Sequence, residues 1–288
     1  MNVHVTTIDT LQFGSASTGA AYLLQAGIPA LIESGTAATH DVIRRALGAI
    51  EPAYIFVTHI HLDHAGGAGH LARAFPDCKV VAHARAIRHL VDPSRLIDGV
   101  QAASPVLFPL YGTPLPIEER QLVAVTGGEC FDLGAGRRID VVAAPGHAAH
   151  HVCFFERTSR LLFAGDAVGH WHVKPDVPLT VPPRFDRTAA HHTLRALRDL
   201  QPSQIAFTHF GIAEDATAHL SRYERELDAW FGLVADVLQT HGPEHAADAV
   251  LAAATVEHLS AVERAEAAMC VRGAIATLRH EGDVADGR

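Results

Sequence analysis

The feature that most constrains this chain is a cluster of ligand-type side chains directly after an apolar segment. The segment YIFVT (54–58) predicts a buried strand. Four such residues follow it within six positions: His59, His61, Asp63 and His64. The first two are two positions apart and point the same way where a strand ends, and Gly66 and Gly67 allow a tight fold-back. Imidazole and carboxylate without thiolate suit zinc, and also iron or manganese.

Three later residues have the same placement, each just after an apolar, strand-like segment. They are His147 in VVAAPGHAAHH, Asp166 in LLFAGDAVG and His209 in IAFTHFG. Sites of open α/β proteins lie at the edge of the sheet where strands end. The seven residues are therefore expected to meet in one metal site. The chain has 21 histidines, nearly as many as its 23 lysines and arginines, and this high content also favours metal binding.

The body of the chain alternates segments typical of strands and of helices, which predicts an α/β fold. The expected strands are 21–25, 30–33, 54–58, 79–82, 138–143, 151–155, 161–164 and 204–208, and the expected helices are 39–49, 68–74, 85–91 and 187–200. A Pro-rich apolar segment, 92–119, interrupts this alternation and is a candidate lid or wall of a site. Its apolar residues indicate a substrate with an apolar part, or simply packing against the tail.

The tail, 214–288, differs from the body because it has 14 acidic and 6 basic residues and an apolar stripe at helical spacing. The stripe comprises Leu220, Leu227, Trp230, Phe231 and Leu238. We expect two domains, 1–213 carrying the site and 214–288 as a C-terminal helical extension packed on it. Because an exposed stripe of this size is unusual on a soluble monomer, we also expect the tail to help close the site and to contribute to a homodimer.

Composition excludes several classes of function. The net charge of −9 argues against a nucleic-acid partner, and a small-molecule substrate is expected instead. The start MNVHVTTIDT does not resemble a signal peptide, and no apolar run approaches the length of a membrane span. The four cysteines are far apart and fit a reducing compartment. We therefore expect a cytoplasmic protein with no membrane partner.

The motifs HxHxDHAGG, PGH, GD and THFG, in this order, resemble those of the metallo-β-lactamase fold superfamily of metallohydrolases over about residues 3–211. The resemblance implies a four-layer αβ/βα sandwich with a dinuclear site between its two sheets. It implies that His59, His61 and His147 bind the first metal. It also implies that Asp63, His64 and His209 bind the second, and that Asp166 bridges the two.

The implied activity is hydrolysis of an ester, lactone or thioester by a metal-bridging hydroxide. Two divalent ions, with zinc favoured over iron or manganese, make a bridging water acidic enough to be hydroxide near neutral pH. Asp63 is the expected catalytic residue, because it can both bind the second metal and receive the proton of that water. The candidate substrate pocket consists of Phe108, Tyr111, Trp171 and His172.

Two alternatives stay open at this point. One is a mononuclear iron oxygenase similar to persulfide dioxygenases, although His64 and His209 argue against it. The other is a sensor or regulatory member of the fold with weak hydrolysis. Within the hydrolases, lactonases place a Tyr where this chain has Gly169, and glutathione-thioester hydrolases carry a basic cluster that is missing here. His150 also departs from the Gly that is frequent in the family's third motif.

Overall fold

A computed structural model describes residues 4–171, 177–181, 185–242, 245–253 and 259–285. The pocket candidate His172 lies outside the described residues. In the part of the chain that is described, no helix has both the length and the apolar character needed to cross a membrane.

Within the described residues, twelve strands form two six-stranded sheets. The first sheet has the order β1 (His4–Asp9), β2 (Ala20–Gln25), β3 (Ala30–Ile32), β4 (Tyr54–Phe56), β5 (Lys79–His83) and β6 (Leu122–Val125). The second has the order β12 (Ile212–Glu214), β11 (Gln204–Phe207), β10 (Leu161–Gly165), β9 (Val152–Glu156), β8 (Arg138–Ala143) and β7 (Cys130–Asp132). From β3 to β6 the neighbours are parallel, and in the second sheet only β10 and β11 are parallel.

Ten α-helices surround the sheets within the described residues. Six precede the second sheet: α1 (His40–Leu47), α2 (Leu62–Ala65), α3 (Ala68–Ala74), α4 (Ile87–Val91), α5 (Ser94–Ala103) and α6 (Phe108–Tyr111). The other four are α7 (Arg187–Asp199), α8 (Ala216–His241), α9 (Ala246–Ala253) and α10 (Ala261–Ala285). Two short 3-10 turns, Gln12–Gly14 and Glu119–Gln121, complete the list.

The sheets pack face to face. Because alternate residues of each strand point to opposite faces of its sheet, one set of side chains meets the other sheet and the other set meets the helices. Tyr22 and Leu24 join the cluster between the sheets, whereas Leu23 packs on the other side with α1 and α3. In the second sheet Phe154 points inward, and Phe155 packs outward with α7 and α8. The hydroxyl of Tyr22 crosses the interface and donates to the carbonyl oxygen of Phe207, 2.5 Å away. The predicted αβ/βα sandwich is confirmed.

The strands that the sequence did not predict are β1, β6, β7 and β12. β1, β6 and β7 contain half-exposed residues, so their apolar patterns are weak. The segment 92–119, a candidate lid or wall of a site, contains α5 and α6. The last strand, β12, extends to Glu214, so the expected domain boundary after residue 213 falls inside a strand. The division into two domains stays a prediction.

The tail helices cover their own apolar stripe. Leu220 packs on the second sheet, and Leu227, Trp230 and Phe231 pack with α10 and with the segment 177–181. The indole nitrogen of Trp230 donates to the hydroxyl of Thr180 at 3.0 Å. Because the chain itself buries most of the stripe, the stripe does not require a second subunit. The homodimer stays a prediction.

A close approach of backbones fixes α10 on the body, and it generates our first testable prediction. A Cβ atom at Gly273 would overlap the carbonyl oxygen of Thr180, whereas one at Gly282 of the same helix meets nothing within 4 Å. We expect Gly273→Ala to lower the free energy of unfolding by about 1–3 kcal/mol through overpacking. The control Gly282→Ala should raise it by up to about 1 kcal/mol through helix propensity. Denaturant unfolding measures both, and equal effects at the two positions would contradict the close contact.

Candidate metal centre

Seven ligand-type side chains converge where four strands end. β4 leads into four of them, and β8, β10 and β11 each lead into one more. They are His59, His61, Asp63, His64, His147, Asp166 and His209. His61 precedes the first turn of α2, and this short helix carries Asp63 and His64. Both sheets therefore contribute to one site, as the strand-end placement predicted.

The seven side chains form two groups. His59, His61, His147 and Asp166 make the first, and Asp63, His64 and His209 make the second. In each group every residue offers one nitrogen or oxygen atom, and these atoms all lie within 4.8 Å of one another. His61 and Asp63 are partly exposed, and the other five are buried.

Asp166 lies between the two groups and faces each with a different oxygen. Its Oδ2 is 3.2 Å from Nε2 of His147 and 3.7 Å from Nε2 of His59. Its Oδ1 is 3.2 Å from Nε2 of His64 and 3.4 Å from Nε2 of His209. A carboxylate with its two oxygens divided in this way is suited to link two cations.

The chemistry of the donor set fits a divalent metal. Nδ1 of His61 lies 2.8 Å from Nε2 of His59 and 2.9 Å from Nε2 of His147, so three imidazoles turn nitrogens toward a common point. Nε2 of His64 and Oδ1 of Asp166 are buried and have no hydrogen-bond partner of acceptable geometry among the described residues. Buried polar atoms are normally satisfied. A cation at this position would satisfy both.

The electrostatics of the site agree with this fit. Burial, together with neighbouring imidazoles, holds the pKa values of His59 and His61 well below their usual range. Burial opposes the ionisation of Asp166, but His64, His147 and His209 hold the pKa of its carboxyl well below the usual value. Burial likewise opposes the protonation of His64, yet Asp166, Asp63 and Glu33 raise its pKa. Neutral imidazoles and an ionised carboxylate are the states that bind metals. His59, His61 and Asp166 therefore have the states that binding needs, and a cation would take the place of the proton that the nearby carboxylates favour on His64.

A buried carboxylate outside the seven residues orients one of them. Oε1 of Glu33 accepts a hydrogen bond from Nδ1 of His64 at 2.9 Å, and others from the hydroxyls of Thr58 at 2.5 Å and Thr208 at 3.0 Å. Because a carboxylate only accepts, Nδ1 of His64 carries the proton and Nε2 presents its lone pair to the site. The sequence analysis missed Glu33, although it ends an expected strand as the ligand residues do.

Two further contacts hold the first group. Nδ1 of His147 donates to the carbonyl oxygen of Leu179 at 2.7 Å, which leaves Nε2 toward Asp166. The backbone N–H of Asp166 donates to Nε2 of His151 at 3.1 Å. This turn requires Gly165, whose φ is +51° and whose Cβ, if present, would be 2.6 Å from Nε2 of His151. His151 therefore positions Asp166 through its Nε2.

A cavity of about 730 Å³ opens onto the site. Tyr111, one of the sequence-predicted pocket residues, lines it. Phe108 instead packs beside Leu107 and Tyr111 in a neighbouring cluster, and Trp171 stacks on Phe207. Neither Phe108 nor Trp171 is among the residues that line the cavity.

The cavity has polar residues that the sequence analysis did not select. His170 lines it with its ring 5.4 Å from that of His209, and burial lowers the pKa of His170 to about 3. His150, at the departure from the family motif, also lines it. Glu266 reaches it from α10, and burial raises the pKa of that carboxyl to about 7. No signal in the sequence connects Glu266, 57 positions beyond His209, with the metal motifs.

The tail also explains why residue 169 is a glycine. Gly169 has φ +73°, and a Cβ there would lie 2.5 Å from the ring of Tyr223 on α8. The ring of Tyr223 therefore occupies the space that a side chain at this position would need. A tyrosine at residue 169 is incompatible with this packing of the tail.

The hydrogen bond from His64 to Glu33 generates the second prediction. We expect Glu33→Gln to weaken metal binding by about 10–100-fold, because the amide no longer orients the imidazole as the carboxylate does. Glu51→Gln, at an exposed position, is the matched control and should bind metal as the unsubstituted protein does. Competition with a chelating dye measures the affinity. Equal affinities in Glu33→Gln and Glu51→Gln would show that Glu33 does not support the site.

Comparison with known proteins assigns the family. The family model described as the Metallo-beta-lactamase superfamily matches residues 15–209. A metallo-beta-lactamase fold-containing protein of Sulfurisphaera tokodaii is 30% identical over 192 residues, which are 63% of this chain and 72% of that protein. The crystal structure of an archaeal superfamily protein from Sulfolobus tokodaii superposes with a TM-score of 0.73 at 20% identity, covering 95% of this chain and 99% of that one.

A more distant relative has a named activity. A hydroxyacylglutathione hydrolase of Yersinia enterocolitica is 27% identical over 121 residues, which are 42% of this chain and 35% of that enzyme. The aligned part is thus about a third of that relative's length. With the family match over residues 15–209 and the fold in agreement, this chain belongs to the metallo-beta-lactamase superfamily.

Proposed function

We propose that this protein is a dinuclear, metal-dependent hydrolase that acts on an ester, lactone or thioester, with zinc as the metal. The observation that carries the proposal is the carboxylate of Asp166, which turns Oδ2 to the first group of ligands and Oδ1 to the second. In this proposal His59, His61 and His147 hold one ion, Asp63, His64 and His209 hold the other, and Asp166 binds both. When bound, two such ions supply a water-derived nucleophile at neutral pH and polarise the scissile bond.

The chain's own residues would handle the proton and the water. Asp63 is partly exposed to the cavity, and its Oδ2 lies 3.5 Å from Nε2 of His209 and 3.7 Å from Nε2 of His64. This carboxylate therefore stands where it can accept the proton of the attacking water. Glu33 and the carbonyl oxygen of Leu179 hold His64 and His147 in fixed tautomers, so the ligand nitrogens stay in place during turnover.

Relatives support the type of bond. The enzyme of Yersinia enterocolitica is named a hydroxyacylglutathione hydrolase. An Aspergillus fumigatus protein, 30% identical over 40% of this chain and 28% of its own length, is named an atrochrysone carboxyl ACP thioesterase. Both names describe cleavage next to an acyl carbonyl, which favours ester and thioester substrates. The cavity volume is within the range of small-molecule sites, so the proposed substrate is a small molecule.

The second group of ligands favours this proposal over a mononuclear iron oxygenase. One ion held by the first group would leave Asp63, His64 and His209 together, two of them buried, with no cation to neutralise their charge or satisfy Nε2 of His64. Burying such an arrangement without a partner is unfavourable.

The third prediction concerns the proton acceptor. We expect Asp63→Asn to lower kcat for an N-acetylcysteamine thioester by about 100-fold or more, because the amide cannot accept the proton of the attacking water. Asp77→Asn, the same change at an exposed site, is the control and should keep full activity. Turnover and metal content are measured on the same samples. An Asp63→Asn protein that retains both its metal and its turnover would refute the role, whereas no metal-dependent hydrolysis of any ester, lactone or thioester by the unsubstituted protein would refute the function.

A further inference from the structure

Helix α5 turns an apolar face to the cavity, and Leu96 of this face also packs against the core of the first sheet. Leu96, Gly99, Val100 and Ala103 recur at spacings of three and four residues, so they share one side of the helix. All four line the cavity. No residue of α5 is buried, although its apolar side chains would normally be covered. The space next to this face is continuous with the metal centre, because Asp63, His147, Asp166 and His209 line the same cavity.

The tail forms another wall of the same space. Met269 and Cys270 of α10 line the cavity, and Met269 also packs in the cluster that contains Leu96 and Val100. The guanidinium of Arg272 donates to the carbonyl oxygen of Ala103 at 3.1 Å, which ties α10 to the end of α5. Methionine is flexible and polarisable, so this wall can adapt to an aliphatic chain.

The charged groups Glu266 and Arg95 border this apolar part of the cavity, together with His89 of α4. Glu266 interacts electrostatically with His209 and Asp63, which places it toward the metal centre. Arg95, which also lines the cavity, is exposed to solvent. Arg95 stands in the first turn of α5, and beyond it, from Leu96 to Ala103, the α5 residues that line the cavity are aliphatic or glycine. This arrangement suits a substrate whose reacting carbonyl lies at the metal centre and whose uncharged chain extends along α5.

We propose that the cavity between α5 and α10 binds the straight-chain acyl group of an uncharged aliphatic ester or thioester. This inference rests on the proposed hydrolase function and names its substrate class. In the reaction, water adds its oxygen to the acyl carbon, the bond from that carbon to oxygen or sulfur breaks, and the proton from water passes to the leaving alkoxide or thiolate. The products are a carboxylic acid and an alcohol or thiol.

The substitution that tests the proposal fills the cavity from α5. A Cβ at Gly99 meets nothing within 4 Å, so a larger side chain there can be accommodated without moving the backbone. Gly99→Leu would extend from the face that Leu96 and Ala103 share. Gly232 of α8 is also exposed and equally open, so Gly232→Leu makes the same change in a helix away from the cavity. Thermal melting checks that both variants fold.

The measurement is kcat/KM for N-acetylcysteamine thioesters from acetyl to octanoyl. In the unsubstituted protein we expect an increase of about fourfold for each added methylene until the cavity is filled. Gly99→Leu should lower the ratio of octanoyl to acetyl thioester hydrolysis by about tenfold or more. Gly232→Leu should have the same kcat/KM as the unsubstituted protein at every acyl chain length. The proposal would be overturned if kcat/KM of the unsubstituted protein did not rise with acyl chain length. It would also be overturned if kcat/KM changed with chain length in the same way in Gly99→Leu and Gly232→Leu.

Direct binding separates this proposal from the proposed function. If no ester, lactone or thioester is hydrolysed, the proposed function fails, and calorimetry with straight-chain carboxamides from acetamide to hexanamide tests whether the cavity binds an aliphatic chain. The proposal predicts that hexanamide binds more tightly than acetamide, and that Gly99→Leu removes the difference while Gly232→Leu keeps it. Equal binding of short and long amides by the unsubstituted protein would contradict it.

Discussion

The rest of the structure depends on one buried carboxylate. Asp166 follows the end of β10 with an imidazole nitrogen within 4 Å of each oxygen. A buried carboxylate needs compensating positive charge, which a bound cation would supply. The placement requires Gly165 to turn the chain and His151 to receive the backbone N–H of Asp166. The two sheets must also pack closely, since β4 supplies ligands from one sheet and β8, β10 and β11 supply them from the other.

Much of this could be predicted from the sequence, because each ligand directly follows an apolar strand. The pattern HxHxDH and the three later strand ends located the seven residues, and the family resemblance of these motifs implied the sandwich. Glu33 follows the same rule but was missed, because one carboxylate in ESG forms no motif. Glu266 could not be found, because its approach to the site depends on how α10 docks, and no local pattern encodes that docking. Phe108 was chosen for its place in the apolar segment 92–119, and Trp171 because it follows Asp166 closely in the chain. Their packing partners are not evident from sequence.

The tail links the fold to the cavity. Its stripe docks α8 on the second sheet, Tyr223 fills the space beside Gly169, and Gly273 lets α10 approach Thr180. These contacts place Met269 opposite α5. The body therefore positions the ligands, and the tail, together with α5, shapes the space in front of them. This division explains how one set of metal ligands can be combined with different substrate cavities.

The central claim is that the two groups of ligands hold two metal ions that share Asp166. Elemental analysis of protein saturated with zinc and then freed of loosely bound ions tests it most directly. The account predicts two zinc ions per chain, and one per chain after His209→Ala, which removes a ligand of the second group only. A saturated protein that holds a single ion, with the same content after His209→Ala, would contradict the account.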